Sequence, residues 1–136
     1  MILHRENTPL KYTEEDKRTL YQALLYGHRR AGNYATALAY FGRHMTWKRF
    51  LEEVDETAAA LLSRGIFKGD AITIYTPNIP QGVIALYAAN RIGAVANMVH
   101  PLSTAEEVLY AIDLAESKLV LTVELNEEFV SGRNID

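Results

Sequence analysis

The residues able to do chemistry in this chain are few and scattered. Four histidines, His4, His28, His44 and His100, are the candidate bases or metal ligands. None stands at the H-x-x-x-H or H-E-x-x-H spacing that puts two ligands on one helix face, so the spacing supports no helical metal site. There is no cysteine, which excludes disulfides and thiolate metal sites and fits a reducing compartment. The carboxylate pairs Glu52-Glu53 and Glu106-Glu107 are adjacent in sequence. Neighbouring residues do not share a helix face, so each pair reads as solvated charges or caps rather than an acid–base couple. No G-x-x-x-x-G-K-[ST] phosphate loop, G-x-G-x-x-G turn or G-x-S-x-G elbow is present. Gly65, Gly69, Gly82 and Gly93 are isolated and are accounted for by turns, helix ends or packing.

Two residues stand out as substrate-side candidates, Asn78 and His100. Each follows a β-branched or apolar run that reads as a parallel strand, and open α/β sheets place ligands at the carboxyl ends of such strands. A titratable imidazole there could act as a base or contact a ligand. Each also has a plainer explanation. His100 precedes Pro101, which enforces an extended turn residue, and Asn78 is a natural cap for a helix beginning near Pro80.

The elements that must position these residues are legible from periodicity. Thr19 caps a helix with Gln22 at capping-box spacing, Leu20, Ala23, Leu24 and Tyr26 supply its apolar face, and Gly32-Asn33 ends it. Short runs on either side of Gly42-Arg43, Ala35 to Phe41 and His44 to Thr46, predict a β-hairpin. Thr46 then caps the clearest helix, in which Trp47, Phe50, Leu51, Val54, Ala58, Leu61 and Leu62 recur at helical spacing. Gly65 stops it as a left-handed C′ residue, with Ile66 folding back. From Ala71 the pattern is strand (71–76), helix (Gln81 to Ile92, broken in by Pro77 and Pro80, closed by Gly93), strand (94–99), helix, strand (118–123). Val83, Ile84, Leu86, Tyr87 and Ile92 lie nearly all round the first of these helices, so it should be well buried. The second is capped by Ser103 and Glu106, and its inner face is Val108, Leu109, Ile112 and Ala115. The expected fold is therefore α/β and three-layered, with a small, mainly parallel β-α-β-α-β sheet preceded by a helix and a hairpin. Residues 1–18 read as a polar leader, and the polar stretch 124–136 could begin a further helix.

Bulk properties narrow the function. A chain of 136 residues, 49% apolar, suffices for one domain. The net charge of −3 and mixed signs argue against nucleic acid as the partner; the one basic run, His28-Arg29-Arg30, suits a helix C-terminus. The N-terminus has no signal-peptide apolar core. The weakly polar stretch from Ile79 to Val99 is interrupted by Gln81, Asn90, Arg91, Gly93 and Asn97, and reads as a buried helix and strand instead of a membrane span. A cytoplasmic location is the expectation.

The ordered set of segments resembles the AMP-dependent synthetase and ligase family. Thr46-Trp-Lys-Arg-Phe-Leu51 is similar to that family's first core motif and Asn90-Arg-Ile-Gly-Ala-Val-Ala-Asn-Met-Val-His-Pro101 to its second. Phe41-Gly-Arg-His-Met-Thr-Trp47, Gly65, Gly69-Asp70 and Pro77-Asn78 recur in the same order. The likeness runs over residues 19–123, and Ala94 to Met98 is nearest to bacterial fatty-acyl-CoA ligases. The chain departs from the pattern at His100, where Asn or Asp is usual, at Leu102, where a polar residue is frequent, and at Arg49, where the first motif has Glu.

The resemblance implies a partial N-terminal domain, residues 19–136, of an enzyme that activates a small-molecule carboxylate with Mg-ATP and passes the acyl group to a thiol, commonly coenzyme A. The family's phosphate loop, Tyr-Gly-x-Thr-Glu segment, ribose-binding Asp and C-terminal lysine have no counterpart here. No catalytic residue or bound cofactor is therefore carried over, and the segment alone is expected to be inactive. A non-catalytic interaction module, an amino-acid adenylation segment and an unrelated flavodoxin-like domain are the alternatives. Its implied partner is the remainder of the ligase. Surfaces left uncovered would drive a homodimer or domain swap through the helix Gln81–Ile92 or a sheet edge.

Overall fold

The structure, a computed structural model, describes residues 17–123. Within it, α1 (Leu20–Ala31) is followed by the hairpin β1 (Thr36–Tyr40) and β2 (Arg43–Thr46), then α2 (Trp47–Ser63). The α/β unit follows: β3 (Ala71–Tyr75), α3 (Pro80–Arg91), β4 (Val95–Met98), α4 (Ala105–Ala115) and β5 (Leu119–Thr122).

Local chemistry explains each boundary. The α1 capping box is formed, with Thr19 Oγ1 accepting from Gln22 N at 3.1 Å and Gln22 Oε1 from Thr19 N at 2.9 Å. His28, Arg29 and Arg30 occupy its last turn, where cations meet the negative end of the helix dipole. The buried face of α1 differs from the expected one. Leu24 is buried and Tyr21 packs on the core, whereas Leu20 and Tyr26 are exposed. The first turn of α1 is anchored through Tyr21 N, which donates to Asn90 Oδ1 of α3 at 2.8 Å. In the hairpin, Phe41 and Gly42 both take positive φ, 45° and 73°, as a two-residue type I′ turn requires. At the end of α2, Ile66 N donates to Leu61 O and Gly65 N to Leu62 O. This is a Schellman motif, with Gly65 at φ 80° and Ile66 buried. Leu62, read as part of the apolar face, is exposed.

The parallel sheet has the order β4-β3-β5, with Ile72 opposite both Ala96 and Leu119. The two crossovers run in opposite directions, so right-handed connections place α3 and α4 on opposite faces. Packing agrees. Ile72 and Ile74 join Phe50, Val54, Ala58 and Leu61 of α2 and Ile84, Ala85, Ala88 and Ala89 of α3 in the main core. Tyr75 faces Val108 and Ile112 of α4 in a smaller one. Every residue of β3 is buried, whereas β4 and β5 are only partly covered.

Helix α3 is the centre of the molecule, and its buried residues are Ile84, as expected, together with the small Gly82, Ala85, Ala88 and Ala89. Val83, Leu86, Tyr87 and Ile92 are half-buried. Because α2 and the sheet already cover α3, this helix is not a face open to a second chain. The second capping box also falls one residue later than expected. Thr104 Oγ1 accepts from Glu107 N, and Glu107 Oε2 accepts from Thr104 N. Both spacings fit the sequence pattern; the choice comes from Ser103 N, which is already used in a turn to His100 O. The segment 124–136 and residues 1–16, including His4, lie outside the described residues.

Candidate functional site

At the carboxyl ends of β3 and β5, which stay paired through Tyr75 and Thr122, a cleft of about 480 Å³ opens on the face toward α2 and α3. It lies where the strand order reverses, the position at which open α/β sheets leave a crevice. Ile74, Ile84, Ala85, Leu121 and Val123 form its floor and walls, with Thr57 and Glu53 of α2 and Thr76 beyond β3 adding oxygen atoms. Gly82 shapes it: a Cβ there would lie 2.6 Å from Thr76 Oγ1, so only glycine lets α3 approach the end of β3 this closely.

The lining contains no cationic side chain, and its single acid, Glu53, pairs with Arg49 at 2.5 Å. Such a set suits an apolar group and does not suit a triphosphate, which wants clustered donors and positive charge. Among the described residues no group of three or more His, Asp or Glu could hold a metal ion. No step of an ATP reaction is therefore assigned to these residues.

Neither sequence-predicted site residue lines the cleft. Asn78 is exposed on the bend after β3. It is not the helix cap either, since Ile79 holds the N-cap position without a side-chain hydrogen bond and Pro80 starts α3. His100 is exposed beyond β4, and its Nδ1 accepts from Leu102 N at 3.1 Å, which leaves the proton of the neutral ring on Nε2. The two share the carboxyl edge of the sheet, and no hydrogen bond joins them. Thr76, Thr57 and Leu121, which do line the cleft, escaped the sequence reading because they come from three separate elements. Only the pairing of a strand-ending Thr76 with Gly82 in the first turn of the next helix signalled the close approach.

The same edge is braced from the α4 side. Tyr75 OH lies 3.3 Å from both Pro101 O and Ser103 O, so the turn carrying His100 is tied to β3. Thr73, fully buried, donates to Ser117 Oγ at 2.8 Å and accepts from Asn97 Nδ2 at 3.0 Å, and that amide also donates to Ala111 O. This satisfied network fixes α4 on β3 and β4. Thr122 Oγ1 is buried without a hydrogen-bond partner. At the opposite edge Lys118 Nζ meets Asp70 Oδ1 at 2.7 Å and Phe67 N donates to Asp70 Oδ2. The lysine first, then the backbone amide, hold the Asp70 carboxyl below the usual carboxylate range. Burial raises the Tyr21 hydroxyl, against the opposing pull of Arg91.

Comparison with known proteins places these features in context. The family described as AMP-binding enzyme matches residues 28–135. Over 92 residues the chain is 37% identical to the mitochondrial acyl-CoA synthetase short-chain family member 3 of Bos taurus, covering 68% of this chain and 13% of that protein. Over 93 residues it is 39% identical to the acetyl-coenzyme A synthetase of Methylocella silvestris, covering 68% and 14%. The chain thus spans about one seventh of the curated relatives it matches. Among solved structures, the N-terminal domain of FACL13 from Mycobacterium tuberculosis superposes with a TM-score of 0.78 at 21% identity, over 88% of this chain and 31% of that one. The N-terminal subdomain of NpsA from Klebsiella oxytoca gives 0.72 at 21%, over 79% and 28%. At that identity these two speak to the fold, and both are N-terminal regions of their proteins.

Proposed function

Because this chain belongs to the AMP-binding enzyme family, we propose that it works as the N-terminal part of an ATP-dependent acid–thiol ligase acting on a short-chain carboxylate. The acid would be activated as an acyl-adenylate and the acyl group passed to a thiol such as that of coenzyme A. The observation that carries this reading is the family match across residues 28–135. The short-chain class rests on the relatives at 34–39% identity, which are named as short-chain acyl-CoA and acetyl-coenzyme A synthetases. It moves the substrate away from the longer fatty acids that Ala94 to Met98 alone suggested.

In this reading the described residues build a wall and do not perform the reaction. The β3–β5 cleft takes apolar groups, the His100 turn is held by Tyr75, and the binding of Mg-ATP and the thiol falls to residues elsewhere in the longer protein. A cytoplasmic location belongs to the same proposal; among the described residues no helix is long and apolar enough to cross a membrane.

The test is a hybrid enzyme, in which residues 28–123 replace the corresponding segment of the Methylocella silvestris acetyl-coenzyme A synthetase. ATP–pyrophosphate exchange is then measured with acetate, propionate, longer fatty acids and amino acids. Exchange with the short acids is the expected result. A folded hybrid without exchange overturns the ligase reading, and exchange only with long or amino acids overturns the substrate class. The pure 136-residue chain, assayed alongside, is expected to give none; exchange by it would place an adenylating site within this segment.

A further inference from the structure

Residues 19–51 carry Arg29, Arg30, Arg43, Lys48 and Arg49 and no aspartate or glutamate, within a chain whose net charge is −3. This stretch folds as α1, the hairpin and the first turn of α2, so the hairpin lies in a locally positive field. Arg49 is paired with Glu53, and Arg30 lies over the Tyr26 ring. The Arg43 guanidinium makes no ion pair or hydrogen bond among the described residues.

Arg43 borders a cavity of about 370 Å³ between the hairpin and the start of α3. Leu38 pairs with Met45 and Tyr40 with Arg43, and the alternation of strand side chains puts these four residues on one face of the hairpin. Leu38 and Met45 pack against the main core, so this face is turned toward the body of the molecule. Pro80 and Gln81 of α3 close the other side. His44 also borders the cavity, but alternation gives its side chain to the outer face with Ala39. Among the described residues no acid lines the cavity. Helix α3 opens without an acid in its first turn and without a side-chain cap, so its positive end adds to the field of Arg43.

We propose that this cavity is a binding site for a small carboxylate with an apolar tail. The lining selects that class. A guanidinium holds a carboxylate through two parallel N–H···O bonds, and the Tyr40 hydroxyl and the Gln81 amide, which line the same cavity, add neutral donors. One cation matches one negative charge, whereas a phosphate, with more charge and more acceptor oxygens, calls for several. Leu38, Met45, Pro80 and the Tyr40 ring supply apolar surface for the tail. The site needs only residues of this chain and does not rest on the ligase reading. Gln81 borders both this cavity and the β3–β5 cleft, but of the two only this one has a cation in its lining.

The test is a titration of the isotope-labelled 136-residue chain with sodium hexanoate through the millimolar range, followed by NMR shifts of backbone and side-chain N–H groups. Saturable shifts at Tyr40, Arg43 and Gln81 are expected. Hexanamide has the tail without the charge, and inorganic phosphate has the charge without the tail. Each should bind roughly tenfold or more weakly than hexanoate. Arg43→Gln should weaken hexanoate by a similar factor and leave hexanamide unchanged, whereas Arg29→Gln, on an exposed arginine of α1, should change neither. The spectrum of each variant reports whether it is folded. No saturable shift with hexanoate, or shifts that survive Arg43→Gln, would overturn the site. Hexanamide or phosphate binding as tightly as hexanoate would overturn the ligand class.

Discussion

At Gly82 two effects of similar size oppose each other. Alanine in place of glycine raises helix propensity by about 1 kcal/mol, but its Cβ would meet Thr76 Oγ1 at 2.6 Å, and overpacking of this kind costs about 1–3 kcal/mol. The clash should win, so Gly82→Ala is expected to lower stability in urea denaturation. In a Thr76→Ala background the nearest remaining atoms stand at 3.8 Å, and there the same substitution should raise stability by up to about 1 kcal/mol. An identical effect in both backgrounds would show that α3 does not approach β3 as described. Asp70 is a second test at this scale. Its folded carboxyl binds a proton less readily than the unfolded one, held down by Lys118 and the Phe67 amide. The stability it contributes is therefore complete above about pH 5, beyond the unfolded value, and is lost as pH falls through the depressed folded value. Asp70→Asn should lower stability at pH 7 and flatten the acid limb of a melting-temperature profile. An unchanged acid limb would mean that the Lys118 pair contributes nothing in solution.

Among the elements, α4 shows how a cap is chosen. Ser103-x-x-Glu106 and Thr104-x-x-Glu107 are equivalent patterns, and the turn bond from Ser103 N to His100 O selects the second. Thr104→Ala should therefore cost about 1 kcal/mol, while Ser103→Ala should be near neutral; chemical denaturation of the two variants decides, and the reverse order would return the cap to Ser103. The strands differ for a related reason. Ala71 to Tyr75, Val95 to Met98 and Leu119 to Thr122 look alike in composition, yet only β3 has a neighbour on each side and helices on both faces. Apolar runs announce strands without announcing which one is central.

For the whole molecule, the β3–β5 cleft lacks the cationic lining that a nucleotide triphosphate needs. Mg-ATP at millimolar concentration should leave the melting temperature of the 136-residue chain unchanged. A ligand at 100 times its Kd stabilises by about 2.7 kcal/mol, which in a domain of this size moves the transition by roughly 10 °C or more. A shift of that order would show that these residues bind the nucleotide themselves.

What the sequence determined by itself was everything carried by short-range chemistry and by order along the chain. The capping box at Thr19, the Thr46 cap, the Gly65 stop with Ile66 folded back, the hairpin and the alternation of strands and helices depend on residues a few positions apart. The family likeness rested on the succession of Phe41 to Trp47, Gly69-Asp70, Pro77-Asn78 and Asn90 to Pro101, and the match across residues 28–135 agrees with it. Only the tertiary structure decided which faces meet. It packed Tyr21 on the core and anchored the first turn of α1 on Asn90, buried α3 on Gly82, Ile84 and three alanines, left Asn78 and His100 outside the cleft, and gathered Thr57, Thr76 and Leu121 into it. Among the described residues it also set β3 at the centre of the sheet, with β4 and β5 beside it. These outcomes depend on strand order and crossover hand, which bring together residues tens of positions apart, and no local spacing in the chain encodes that meeting.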